Sequence, residues 1–186
     1  MASTTPSLFS SLTRGAFAGV VGAAVLGLVQ EKVEMPLTGR GESYAPAHFA
    51  HQLFGLEHHG GNADVLNWGS HLGFGTQWGV ARALVARRGL HGIPALVTTF
   101  ATVYPATVAV GTALDVYRPS EWTGEDWAID VLDKLVMATV TGAVYQFLLA
   151  PRAKQQKQDQ RRRRRHRAVT TSPTPSGPTP TTSWGR

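Results

Sequence analysis

The chain has 186 residues, with 18 Lys/Arg, 12 Asp/Glu and no cysteine, which excludes disulfides, thiolate metal sites and a cysteine nucleophile. Its formal charge of +6 joins two unlike parts: residues 1–151 hold 8 Lys/Arg against 11 Asp/Glu, while residues 152–186 hold 10 against one. A mildly acidic body rich in Gly, Ala, Val and Leu argues against a nucleic-acid-binding domain and confines the basic chemistry to the tail.

Residues 1–13 form a polar N-terminus. The run Gly15–Val29 carries no charge. Extended back through Leu8, Phe9 and Leu12, with Arg14 reaching the headgroups, it is long enough to cross a hydrocarbon core of about 30 Å, so a span is expected at about 12–30. A cleaved signal peptide is the rival reading, and no small-x-small site follows the run to support it. A second span is expected at 66–85, with Trp68 at its outer rim and Arg82, Arg87 and Arg88 at its inner one. The third, 93–114, contains Pro94 and Pro105. Pro105 cannot donate to the Ala101 carbonyl, so a kink is expected there, with Thr98, Thr99, Thr102 or Thr107 re-satisfying the freed oxygen beside Tyr104. The fourth, 127–150, opens at Trp127 and closes at Pro151 and Arg152.

These spans give an all-α fold, a four-helix transmembrane bundle over residues 14–151. Residues 152–186 are expected to be a disordered basic and Pro/Thr-rich tail. The segments 31–65 and 115–126 carry nine acids against Lys32, Arg40 and Arg118, and the opposite side carries the arginines. That bias places both termini in the cytoplasm and the chain in the cell (inner) membrane.

Gly15, Gly19, Ala23 and Gly27 recur every fourth residue on the first helix, as do Gly75, Gly79 and Ala83 on the second, with Gly69 and Gly73 on a neighbouring stripe. Small residues at this spacing let two backbones approach closely. Packing of the first helix on the second is expected; a homo-oligomer or a contact with another membrane protein is the alternative. A weak internal repeat relates the halves in either of two registers, Trp68/Trp127 with His71/Asp130, or His71-Leu72/Lys134-Leu135 with Gly79/Gly142.

The runs RGAFAGVVGAAVLGLV, NWGSHLGFGTQWGVARAL and DVLDKLVMATVTGAVYQFL, covering residues 14–150, resemble small uncharacterised bacterial membrane proteins. Glu34-Met35-Pro36-Leu37 is similar to the segment after the first helix of YagU-like inner-membrane proteins. Lys134 departs from that pattern, standing where such proteins repeat the histidine of the second helix. The resemblance implies a bacterial four-helix architecture and no reaction.

Ionisable groups inside spans are expensive and tend to face partners. His71, Asp130, Asp133 and Lys134 fall at comparable depths below Trp68 and Trp127, and Asp130 with Lys134 has the favoured i, i+4 order of a helical ion pair. They are expected either to neutralise one another or to form an intramembrane polar cluster. The outer loop is rich in imidazole. A short interfacial helix over Pro46–Phe54, with Phe49 and Leu53 on its apolar side, would bring His48 and His51 together, and Glu57, His58 and His59 could complete a metal site. In the tail, Arg161, Arg162, Arg163, Arg164 and Arg165 are expected to hold anionic lipid headgroups, in preference to nucleic acid. The expected function is a non-catalytic structural or interaction role without a cofactor. The alternatives are a small transporter or channel subunit using the polar cluster, and a metal-binding protein using the outer-loop histidines.

Overall fold

The computed structural model describes residues 7–56 and 62–170, with side chains described as far as Leu148. All regular structure among the described residues is helical. In order these are α1 (Leu8–Val29), a π-helical turn (Gln30–Glu34), α2 (Met35–Thr38), α3 (Ala45–Phe54), α4 (Ala63–Arg87), α5 (Gly92–Ala113), a 3-10 turn (Pro119–Glu121) and α6 (Gly124–Thr170). The chain divides into two units, Met1–Leu148 and Leu149–Arg186. In the first, α1, α4, α5 and the opening of α6 run alternately up and down.

The glycine ladders decide how α1 and α4 meet. A Cβ built on Gly79 would overlap the Gly15 carbonyl oxygen, one on Gly19 would overlap that of Gly75, and one on Gly75 would stand 2.6 Å from the Ala23 Cβ. Backbones touch here with no side chain between them, which only glycine permits. Farther along α1, Gly27 leaves room for the Trp68 ring. Gly69 and Gly73, by contrast, meet nothing within 4 Å, so the second stripe of α4 faces away from this contact. Above the crossing, Ala23, Leu26, Trp78, Val103, Met137 and Ala138 form the buried core.

Local chemistry sets the ends. The Ser7 Oγ accepts from the Ser10 amide at 3.1 Å and caps α1. At the start of α6, Thr123 and Asp126 form a reciprocal capping box: the Thr123 amide donates to Asp126 Oδ2 at 2.7 Å and the Asp126 amide donates to Thr123 Oγ1 at 3.2 Å. The α4–α5 turn is closed by Gly89 (φ 88°) and Gly92 (φ 59°), left-handed conformations that favour glycine. In α5 the Thr99, Thr102, Thr107 and Thr112 hydroxyls donate to Ala95, Thr98, Val103 and Val108, each four residues back, rather than to Ala101.

Several boundaries differ from expectation. The first helix does not stop near residue 30; the π turn carries it to Thr38, where Gly39 (φ 67°) ends it. The final helix does not stop at Pro151. A proline removes one donor, while the Gln, Lys and Arg that follow are strong helix formers, and the helix continues to Thr170. Residues 152–170 are therefore helical where a disordered tail was expected, and 171–186 lie outside the described residues. Helix α3 begins at Ala45 and is not a raft with both apolar residues on one surface. Phe49 is 6 % exposed, with its ring edge-on to Phe74 (5.4 Å) and Tyr117 (5.3 Å), and Leu53 is exposed. Among the described residues two helices, Leu8–Thr38 and Gly92–Ala113, are long and apolar enough to cross a membrane, and the expected spans at 66–85 and 127–150 do not reach that mark.

Candidate functional site

A cavity of about 640 Å³ opens at the end of the bundle where α1 and α5 finish and α4 and α6 begin. All four members of the expected polar cluster line it: His71 from α4, and Asp130, Asp133 and Lys134 from α6. Sequence spacing could set Asp130, Asp133 and Lys134 near one another on α6. That His71 joins them follows from the α1–α4 glycine contact, which fixes the height of α4.

The cluster is held by specific bonds. Lys134 Nζ lies 3.1 Å from Asp130 Oδ1, with the two side chains 17 % and 18 % exposed, so this pair neutralises itself as the i, i+4 spacing suggested. Asp133, 8 % exposed, accepts a hydrogen bond from Gln30 Nε2 at 2.5 Å. His71 Nε2 donates to the Ala23 carbonyl at 2.9 Å, which puts the ring proton on Nε2 and leaves Nδ1 without that duty. The second oxygen of Asp130 and the Tyr104 hydroxyl are both buried and lie close enough to interact with each other, and neither meets a hydrogen-bond partner in good geometry among the described residues.

Further lining groups were not singled out from sequence. Gln30 and Glu34 bracket the π turn, a helix distortion that recurs at functional sites. Glu34 sits near enough to Asp133 for the two carboxylates to repel each other. Arg40 is ion-paired with Asp126 across the rim, and the Thr123 hydroxyl and amide, with Arg40 behind them, hold the Asp126 carboxyl below the usual carboxylate range. The T-x-x-D of Thr123–Asp126 was a readable capping signal; nothing in sequence marked Gln30. Asn67, 5 % exposed, ties the wall together, its Oδ1 accepting from the Ala47 amide at 3.2 Å and its Nδ2 donating to the Ser43 carbonyl at 3.0 Å. This satisfies a first-turn amide of α3 and holds that helix against α4.

The lining is acidic. Glu31, Glu34, Glu42, Asp126, Asp130 and Asp133 face it against Arg40 and Lys134. With Lys134 committed to Asp130 and Arg40 to Asp126, the charge left over is that of carboxylates. Such a cavity favours a cation.

The other expected sites are less assembled. His48 is exposed and His51 Nδ1 lies 3.1 Å from the Leu56 carbonyl oxygen. Glu57, His58 and His59 lie outside the described residues, and among those described no three His, Asp or Glu are grouped as metal ligands. The side chains of Arg161–Arg165 also lie outside the description. Arg82, expected at the inner rim beside the headgroups, is instead 1 % exposed, because α4 carries it against the Tyr145 ring. Comparison with family models, curated proteins and solved structures gives no match to this chain.

Proposed function

We propose that this chain is a multi-pass membrane protein, without enzymatic activity, whose acidic cavity receives a small polar solute, preferentially a cation. The observation that carries the reading is the convergence of His71, Asp130, Asp133 and Lys134, from two helices, on one cavity with a surplus of carboxylates. A purely structural role gives no reason for Asp133 to be buried without a cation of its own.

The membrane part of the reading rests on which residues face outward. Phe9, Phe17, Ile93, Val97, Leu132 and Phe147 are all more than half exposed, and the interior mixes glycine, alanine and polar groups with a few large apolar side chains. Helix α5 is apolar, yet only 17 % of its apolar stretch is buried, the reverse of a soluble core helix. Spans at about 12–30, 66–85, 93–114 and 127–150, with both termini cytoplasmic, place the cavity at the outer face. Helix α4 carries polar groups within its expected span, and of these His71 faces the cavity and Asn67 bonds to α3.

Two measurements test this. A reporter active only in the cytoplasm should work when fused after Arg152 and fail when fused near Gly60; activity at both sites refutes the topology. In detergent, small organic cations such as alkylammonium and guanidinium should raise the thermal stability of the protein, and matched anions should not. Equal responses to both would reduce the cavity to a packing defect. Uptake of a bound cation into vesicles carrying the protein would then separate transport from binding.

A further inference from the structure

A second polar cluster lies at the opposite end of the bundle, and the cavity does not use it. Arg82 is almost fully buried on α4, with Cζ 5.3 Å from the centroid of the Tyr145 ring. With the Gln146 amide oxygen turned toward it, Arg82 Nη2 donates at 3.1 Å, and the same oxygen accepts from the Gly92 amide at 2.9 Å. The remaining nitrogens, Nε and Nη1, are buried and have no hydrogen-bond partner among the described residues, and neither has the buried Nη1 of Arg14. Arg14, Arg82 and Arg87 all stand near enough to Tyr145 for their charges to act on its hydroxyl, and Arg87 Nη1 also reaches the Ser11 Oγ at 3.5 Å.

Among the residues whose side chains are described, the surrounding helices supply no counter-charge. No Asp or Glu precedes Glu31, none lies between Asp64 and Asp115, and none between Asp133 and Asp159. Helix α1, nearly all of α4, the whole of α5 and α6 from Lys134 to Leu148 are therefore free of carboxylates. A buried cation without a partner is costly, and a guanidinium cannot escape by losing its proton. Its donors form a planar fork suited to an oxyanion.

We propose that Arg14 and Arg82 form a binding site for a phosphate-bearing anion at this end of the bundle, with Ser11 and Tyr145 beside it. Two guanidinium groups from different helices give two forks, and a phosphate can accept from both where a single planar carboxylate matches one. The phosphate is that of an anionic phospholipid headgroup or of a soluble phosphate ester. The site rests on the arginine geometry and is independent of the cavity reading.

The test uses the full chain, purified in detergent and stripped of lipid. Thermal stability is followed while phosphatidylglycerol, phosphatidylcholine, inorganic phosphate or chloride is added at matched ionic strength. Saturable stabilisation by phosphatidylglycerol alone assigns the site to a lipid, and by inorganic phosphate to a soluble ligand. Arg14→Gln should weaken the apparent affinity roughly ten-fold or more, the worth of a charge-assisted hydrogen bond. Arg82→Gln should do the same if it folds; Arg14 is only half-buried, so its variant keeps the question decidable if Arg82→Gln does not fold. Exposed Arg88→Gln is the control and should bind as wild type does. Stabilisation by chloride equal to that by phosphate, or an Arg14→Gln protein with undiminished affinity, overturns the site.

Discussion

The two ends of the bundle are built from the same four helices and solve opposite electrostatic problems. At one end, six carboxylates surround two basic groups, each already matched with an acid of its own. At the other, arginines are buried in segments that contain no acid at all. In between, the helices carry almost nothing but small and apolar side chains, and the backbones of α1 and α4 touch. Charge has been sorted along the bundle axis instead of being paired across it. A fold that needed only to be stable would gain by moving a single Asp to the arginine end, which suggests that each end keeps its excess for a ligand of opposite sign.

The largest expected effect comes from the crossing on which both ends depend. Gly79→Ala must push the Gly15 carbonyl aside, and should destabilise the protein by more than about 3 kcal/mol, the upper range for overpacking; Gly79→Leu should prevent assembly. Gly73→Ala, on the same helix but facing open space, should leave stability unchanged or raise it by up to about 1 kcal/mol. Unfolding in detergent measures both, and similar losses for the two variants would show that the α1–α4 contact is not the organising one.

The next effect separates the ends. Asp133→Ala should weaken binding of an alkylammonium probe by roughly ten-fold or more, while leaving the response to phosphate untouched. If both responses fall together, the ends are coupled and the comparison fails. A smaller change is expected from Gln30→Ala, which removes one donor to Asp133 but leaves the carboxylate in place: a several-fold loss of cation affinity, at most about ten-fold. Full wild-type affinity would mean that the Gln30 bond only seals the wall.

The smallest effect is at the rim. The folded-state pKa of Asp126 is depressed, so what it adds to stability is present above its unfolded value and is lost as pH falls through the folded one. The cap on α6 should therefore be intact at neutral pH and weaken as pH falls below the ordinary carboxylate range. Thr123→Ala removes the hydroxyl bond and should move the Asp126 carboxyl back toward the ordinary carboxylate range, as followed by NMR titration. An unchanged titration would assign the depression to Arg40.

Much of this architecture could be read from residue order, and what could not has a physical cause. The ladder of Gly15, Gly19, Gly75 and Gly79 was visible because small residues at a spacing of four leave a single helical face to pack on. The four cluster residues were visible because ionisable groups are rare in apolar runs. The helix ends were harder. Gln30–Glu34 looks like the start of a loop, since Glu31, Lys32 and Glu34 are polar, yet a π turn keeps the chain helical while changing which side chains face inward. Pro151 looked like a stop, but a proline costs one hydrogen bond and the residues after it favour a helix. Arg82 was read as a rim anchor from its place near the end of α4. Its burial depends on the azimuth at which Tyr145 and Gln146 of α6 meet α4, a tertiary quantity that one-dimensional spacing does not contain.

The continuous helical run from Leu8 to Thr38 covers 31 residues, which at a rise of 1.5 Å each is roughly 46 Å. A hydrocarbon core is about 30 Å thick. An upright helix of this length overshoots the core by about 16 Å, close to three turns, and a tilt of 20° shortens the overshoot only slightly. The surplus is the stretch that carries Gln30, Glu34 and the approach to Arg40. In the proposed membrane setting the mouth of the cavity stands in the headgroup layer or above it, on a turret raised from the lipid. A charged solute could reach Glu34 by diffusion through water alone, and would shed its hydration only on moving inward to Asp133.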